Sequence, residues 1–375
     1  MFFLHFMSVF QQLPPVKRHS KYFFYLRDMV KVNAHIHTPY SFSAFGSIPE
    51  ALDKAVAEGV RVVGINDFYS TDGFREWHDG CSERGLFPLY GIEFMALDGT
   101  MQDSGLRVND PANPGRIYLS GKGLAYPPVL AGPPAEALAR VRREANVQTA
   151  RMCEKLNSYL SSEGLEARLD FERIKSSLTL GQVRERHLAK ALRLALYPDA
   201  YNPAALENEL RSRLLKAGGP AFVPEDPSAF LPVGSVKEII EAAGGLVTYP
   251  FLGDNAKGGF TDFEEDLQKA ADTLRALGIR SAEFITTRNS TAVLEQYSAY
   301  LEDEGFIVSF GSEHNTPAME PLTLRTRDCE SLSSRLLAVN YRGACAIAAH
   351  QAGLRLPREA MIEEGDRLIQ KVLSE

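Results

Sequence analysis

The stretch VNAHIHTPYSFSAFGSIPEALDKAVAEGVRVVGIND, residues 32–67, decides the fold class. Its opening, Val32 to His37, reads as a short strand, and Arg61 to Asp67 as a second strand rich in β-branched residues. Between them Ile48 to Gly59 reads as a helix. Ser47 and Glu50 make an S-x-x-E capping box, Pro49 sits in the first turn, and Gly59 closes the end. Strand, helix and strand at this spacing form a βα unit, which belongs to a parallel sheet.

The same grammar extends outward. Phe87 to Ala96 predicts a third strand, and Gly245 to Tyr249, Arg280 to Thr286 and Phe306 to Phe310 predict three more. Helices at Asp262 to Leu277 and Thr291 to Glu304 separate the later strands, so the two runs read as halves of one α/β barrel. Residues 100–130, rich in Gly, Pro, Asn and Asp, predict a long loop. Beyond it Val141, Ala145, Met152, Leu156 and Leu160 recur at helical spacing, and Arg184 to Leu196 and Pro203 to Lys216 are further helical windows. The expected organisation is a poorly structured extension over 1–28, a barrel over 29–325 with a helical insertion at 130–230, and closing helices over 326–375. Leu332 to Gly353 and Arg358 to Leu373 supply those last helices.

Composition narrows the class. The 375 residues are 45% hydrophobic and 24% charged, the balance of an ordinary globular protein. No segment reaches the roughly 18 to 20 consecutive apolar residues of a membrane helix. A formal net charge of -7 gives no general drive toward a polyanion, which argues against nucleic acid as partner, and the lack of a long apolar segment argues against a membrane. Four cysteines, Cys81, Cys153, Cys329 and Cys345, lack CxxC spacing and read as reduced thiols in a cytoplasmic protein. The oligomeric state is not legible. In residues 1–28 the aromatic clusters Phe2, Phe3, Phe6 and Tyr22 to Tyr25 are split by a polar stretch. That pattern favours an upstream segment ahead of a start at Met29 over a membrane-surface anchor.

The chemistry concentrates at strand ends. His35 and His37, two apart on a strand, project to one face because side-chain direction has period two. Alone, an HxH pair is as often two ordinary polar residues as a ligand pair. Here Asp67, Glu93 and Glu313, with His314 beside it, also stand at or just past strand ends, and a parallel barrel gathers such ends at one mouth. His35, His37, Glu93, Glu313 and His314 are therefore the expected ligands of one divalent ion, for which N/O donors suit zinc, manganese or iron(II).

With these residues quoted, the sequence resembles the PHP family, the polymerase and histidinol phosphatase domains. The resemblance rests on His35-Ile36-His37-Thr38, Ile65-Asn66-Asp67, Gly91-Ile92-Glu93, Val247-Thr248-Tyr249-Pro250 and Gly311-Ser312-Glu313. The segment Arg184 to Leu192 is similar to one in the phosphoesterase branch, and the likeness spans roughly residues 30 to 325. It implies a distorted seven-stranded (β/α) barrel of PHP type with an inserted helical subdomain, and up to three divalent metals acting on phosphate esters. It also implies a departure from the family pattern. The first metal position maps to His35, His37, Glu93 and Glu313, whereas the second maps to Tyr118 and Tyr249 and the third to Ser43, Phe68 and Asn315, none of them histidines.

The expected activity is hydrolysis of a small anionic metabolite, phosphorylated or carboxylated, through one metal-bound hydroxide. One-metal isomerase or lyase chemistry on a sugar acid is the first alternative, and a non-catalytic PHP-like binder the second. Asp67 is expected to act as base or to orient a ligand, and Tyr118 and Tyr249 to donate to a substrate oxyanion. Arg184, Arg186 and His187 on one helix, Arg288, Asn315 and Lys122 of the loop Ser120 to Gly123 are the expected anion contacts. A solvated helix face is the plainer reading of that charged helix.

Overall fold

Alternation along short strands builds a barrel whose inward face is polar and whose outward face carries the core. The computed structural model describes residues 30–224, 226, 229–255 and 259–375, so the expectation for residues 1–28 lies outside the described residues. The first half runs β1 (Lys31–Ile36), α1 (Ile48–Ala57), β2 (Val60–Phe68), α2 (Phe74–Glu83), β3 (Phe87–Leu97), α3 (Gly99–Asp103) and β4 (Arg116–Lys122). Ser47 caps α1 by accepting the Glu50 N–H at 3.3 Å, while the Glu50 carboxylate reaches back to the Gly46 N–H at 2.6 Å, one residue further than the capping box predicts.

After β4 come α4 (Gly132–Ser162), α5 (Phe171–Leu178), α6 (Glu185–Leu196) and α7 (Pro203–Leu210), which runs into a π turn at Arg211–Leu215. The second half is α8 (Val233–Ala242), β5 (Leu246–Phe251), α9 (Leu267–Ala276), β6 (Ser281–Ile285), α10 (Thr291–Asp303) and β7 (Ile307–Gly311), followed by α11 (Ser334–Gln351) and α12 (Arg358–Ser374).

The seven strands lie in sequence order in one sheet. Strands β1 to β3 pair parallel, as do β5 to β7, but β4 runs antiparallel to both its neighbours. This corrects the loop expected over residues 100–130 and the wholly parallel barrel. In β4 only Ile117 and Leu119 carry the apolar side of the alternation, and turn-forming residues surround them, so the segment looks like loop in sequence. The barrel closes just past β7. Glu313 N–H donates to the His35 carbonyl at 2.9 Å, and His37 N–H donates to the Glu313 carbonyl at 2.7 Å. Gly311 permits this approach, because a Cβ there would stand 2.2 Å from the Cβ of His35.

Outward residues such as Ile65, Phe94, Val247, Phe284 and Phe310 pack with α1, α8, α9 and α10 in the main core. At the end away from the histidines, Val62, Leu89 and Ile307 join Ala344, Ile347 and Ala348 of α11 in a second apolar cluster. Helix α4 bridges two cores: Val141 lies in the barrel core, and Met152, Leu156 and Leu160 lie in a cluster with Leu188 and Leu192 of α6. Among the described residues no helix is long and apolar enough to cross a membrane.

Within this insertion His187 is 3% exposed and its Nδ1 accepts the Arg184 N–H at 2.9 Å, closing the first turn of α6. Its ring meets Phe42 edge-on at 4.9 Å. The sequence reading grouped His187 with the anion contacts. The structure makes it a buried helix cap, because the N3 position turns the imidazole back onto its own backbone.

Two outcomes follow from this packing. Gly343 of α11 lies so close to β7 that a Cβ would stand 1.9 Å from the Val308 carbonyl oxygen. A Gly343→Ala variant should lose about 1 to 3 kcal/mol from forced separation, read as a lower denaturant midpoint with unchanged slope. Burial, helped by Lys190 and Arg184, lowers the His187 pKa from 6.5 to about 3. Between those values the unfolded chain binds a proton at His187 that the folded chain refuses, so stability falls as the pH drops through 6.5. The contribution to the slope is at most about 1.4 kcal/mol per pH unit. His187→Gln should flatten the acid side of the stability curve between pH 6.5 and 3.

Candidate metal centre

Period-two alternation in β1 and β3 sends His35, His37 and Glu93 to one interior space, and all three are buried. His35 Nε2 and His37 Nε2 stand 3.3 Å apart, and His37 Nε2 lies 3.2 Å from Glu93 Oε2. These donor atoms all lie within 4.8 Å of one another. Ligands held tetrahedrally at about 2.0 to 2.1 Å from a zinc ion sit about 3.3 to 3.4 Å apart, so the spacing fits one ion. Glu93 Oε2 is also buried without a hydrogen-bond partner, which a cation would supply.

The electrostatics agree. Burial, with the Glu283 charge behind it, raises the Glu93 pKa to about 8. Burial also raises Glu313, against the pull of Arg288. The imidazoles are driven toward their neutral, ligating form: burial lowers His35 to about 3 and lowers His37 as well. Carboxyls pushed up beside histidines pushed down are what a dication would reverse and use.

Glu313 approaches from the barrel seam. It and His314 occupy the left-handed region, with φ of 63° and 56°, a conformation unfavourable by about 1 to 3 kcal/mol each for residues with a Cβ. Closure of the strand against β1 holds them there. The Glu313 carboxylate is ion-paired with Arg288 at the mouth. His314 instead turns away: its Nδ1 meets Ser312 Oγ at 2.7 Å, its Nε2 meets the Glu320 carbonyl at 2.9 Å, and its ring stacks on Phe45 at 5.0 Å. With both nitrogens engaged, the expected ligation by His314 is not what the fold provides.

Asp67 lies behind His37. It accepts hydrogen bonds from the Thr38 N–H at 2.7 Å, the Thr38 hydroxyl at 2.5 Å and the Ser41 hydroxyl at 2.6 Å, and Ser41 Oγ lies 3.1 Å from His37 Nδ1. These bonds engage both carboxylate oxygens, which suits orientation of His37 better than action as a base. Burial raises the Asp67 pKa despite the opposing His37.

The two tyrosines separate. Tyr118, on the inward face of β4, stands edge-on to Phe68 at 6.1 Å, and its hydroxyl is held above its ordinary pKa by burial, with Asp110 and Glu93 adding to it. Tyr249 faces outward, because Thr248 and Pro250 take the inward positions of β5. Its hydroxyl donates to Glu264 at 2.8 Å within the strand–helix layer, and that removes it from the expected oxyanion contacts.

Of the third-position residues, Ser43 accepts the Phe45 N–H at 3.1 Å in a local turn, Asn315 is half-buried in the loop past His314, and Phe68 lies face to face with His37 at 6.4 Å.

The arginines surround the mouth. The Arg184 guanidinium lies 4.4 Å over the Phe68 ring, and Arg186 lies 5.6 Å over Phe42 and donates to Asn208 at 3.0 Å. Burial, with Arg211 and later Arg288 opposing its charge, lowers Arg186 to about 9. A cleft next to this face is lined by Tyr69, Met95, Val141, Ala145, Arg151 and Arg184. Lys122 is not in a phosphate loop. It lies on β4, 2% exposed, with Nζ 2.7 Å from Glu283 inside the barrel.

Sequence reasoning did not single out Ser41, Ser120 or Glu283, although Glu283 is the one charged residue of the otherwise small or apolar strand SAEFI.

Residues 33–166 match the family model of the PHP domain. Two solved structures share the fold at low identity. A protein assigned as a metal-dependent phosphoesterase from Bifidobacterium adolescentis aligns with a TM-score of 0.59 at 18% identity, over 84% of this chain and 97% of that one. An amidohydrolase from Chromobacterium violaceum, with sulfate bound and no metal, aligns with a TM-score of 0.56 at 17% identity, over 83% and 97%. Curated proteins give no match. The matched segment begins on the strand of His35 and includes Glu93, and the seven strands form a nearly closed barrel with helical insertions: residues 33–166 are similar to a PHP domain, in a chain with the fold of these two structures.

Proposed function

We propose that this protein is a metal-dependent hydrolase of a small anionic metabolite, phosphorylated or carboxylated. One divalent ion, zinc, manganese or iron(II), would be held by His35, His37 and Glu93, with Glu313 as fourth ligand. The observation that carries the reading is the convergence of His35 Nε2, His37 Nε2 and the unpartnered Glu93 Oε2 in a buried space at the barrel mouth. An ion bound there would act as a Lewis acid and bring a water's pKa toward neutrality.

The chain's own groups supply the rest. Arg184 and Arg288 offer planar guanidinium forks to a substrate anion, and the Phe68 ring fixes the height of the Arg184 fork over the mouth. Met95, Val141 and Ala145 give the adjoining cleft an apolar wall. Of the two tyrosines expected as oxyanion donors, Tyr118 is on the inward face of β4 and Tyr249 is not, so Tyr118 is the proposed donor. A single ion is the count proposed, since at the positions mapped to further metals Phe68, Tyr118 and Asn315 replace imidazoles and Ser43 replaces a carboxylate.

Elemental analysis of protein reconstituted with zinc or manganese should give one ion per chain. His35→Ala and Glu93→Gln should lose that ion and at least about a hundredfold in turnover within a panel of phosphate monoesters and carboxylated amides. Arg184→Ala should keep the ion and raise KM about ten- to a hundredfold, the loss of one charge-assisted anion contact. A folded wild-type protein that takes up no ion overturns the reading. An ion-loaded protein that binds but turns over no member of the panel favours the non-catalytic alternative.

A further inference from the structure

A lysine–glutamate ion pair lies inside the barrel beneath the histidines, and the proposed chemistry does not use it. Lys122 comes from β4 and Glu283 from β6, and they are 2% and 0% exposed. Two ions taken out of water carry a desolvation penalty of several kcal/mol each, which a hydrophobic pair of similar volume would avoid. What the pair touches is therefore informative.

Glu283 Oε2 lies 2.9 Å from His35 Nδ1 and 2.7 Å from Lys122 Nζ, and the Ser120 hydroxyl donates to Glu283 Oε1. Lys122 Nζ also donates, at 3.0 Å, to the carbonyl of Ala34, the residue before His35. The Asn66 amide reaches the same ring, with Nδ2 3.4 Å from Nδ1 and 3.2 Å from Nε2. An ionised carboxylate can only accept. Glu283 has the partners of an ionised carboxylate, with the Lys122 ammonium on Oε2 and the Ser120 hydroxyl on Oε1. Nδ1 of His35 must therefore donate, which leaves the lone pair on Nε2, the nitrogen that faces His37.

We propose that the buried Lys122–Glu283 pair is a positioning unit that fixes His35 in the Nδ1–H tautomer and presents its Nε2 lone pair to the metal. Lys122 holds both the strand backbone beside the ligand and the carboxylate that orients its ring. The pair is thus the inner counterpart of Asp67 and Ser41, which act on His37 from the other side. This inference rests on the proposed metal centre, but the tautomer it assigns is a property of the metal-free chain.

The test follows from that separation. In metal-free protein labelled with 15N-histidine, His35, identified by its loss in His35→Ala, should show a protonated Nδ1. In Glu283→Leu this signature should shift toward the other tautomer, and in Glu283→Gln, whose amide oxygen still accepts, it should persist in part. Zinc affinity, measured by chelator competition, should fall about ten- to a hundredfold in Glu283→Leu and less in Glu283→Gln. The double variant Lys122→Met with Glu283→Leu leaves no unpaired buried charge. It should melt nearer to wild type than Glu283→Leu does, yet bind zinc as weakly. A merely structural pair would move the melting temperature and leave tautomer and affinity alone. An unchanged His35 tautomer, or wild-type zinc affinity in the folded double variant, overturns the proposal. A wild-type protein that binds no zinc while its His35 tautomer responds to Glu283 instead overturns the metal centre.

Discussion

The two backbone hydrogen bonds that Glu313 exchanges with His35 and His37 are the constraint on which the site depends. They join the ends of the sheet where His35 and His37 sit, so one interaction sets both the seam of the sheet and the geometry of the proposed metal centre. The bridge between Ile36 and Glu313 joins the two ends of the sheet at this one place, so the barrel is nearly closed. It also explains the left-handed conformation of Glu313 and His314: the chain must turn within two residues to bond β1 and still send a carboxylate inward. Gly311 is the residue that lets the strands approach.

A second constraint is the polarity of the barrel interior. Small-barrel interiors are commonly filled by branched apolar side chains in layers. Here the middle of the barrel holds His35, Asn66, Ser120, Lys122, Thr248, Ser281 and Glu283, all nearly or completely buried, while the apolar residues face the helices. Each polar group inside must find a partner or carry a desolvation penalty. The resulting network, in which Glu283 joins β1, β4 and β6, ties strands from opposite sides of the barrel to one ligand. The same side chains fill the barrel and orient His35.

The helical insertion adds the cationic rim. Helix α4 begins in the barrel core and ends in the insertion's own core, and α6 starts at Arg184 over Phe68. His187 caps that helix and so fixes the residue that faces the mouth. The proposed anion-binding surface would thus come from an element distant in sequence from the strands of His35 and Glu93.

The amino-acid sequence by itself determined the barrel class, the pair His35 and His37 at the end of β1, and Glu313 just past a strand end, whereas Glu93 lies within β3 rather than at its end. These are local properties: period-two alternation, capping signals and the βα rhythm act over a few residues and are visible in any window that contains them. Only the tertiary structure decided which polar residues meet. Strand β4 was hidden because half of its face is polar and points into the barrel, and its antiparallel course was invisible for the same reason. Tyr249 and His314 carry the right chemistry one residue out of phase, and a one-residue change of phase in a strand or turn sends a side chain to the opposite face. Lys122 and Glu283, 161 residues apart in the numbering, have no shared local pattern; only closure of the barrel brings their charges within 2.7 Å.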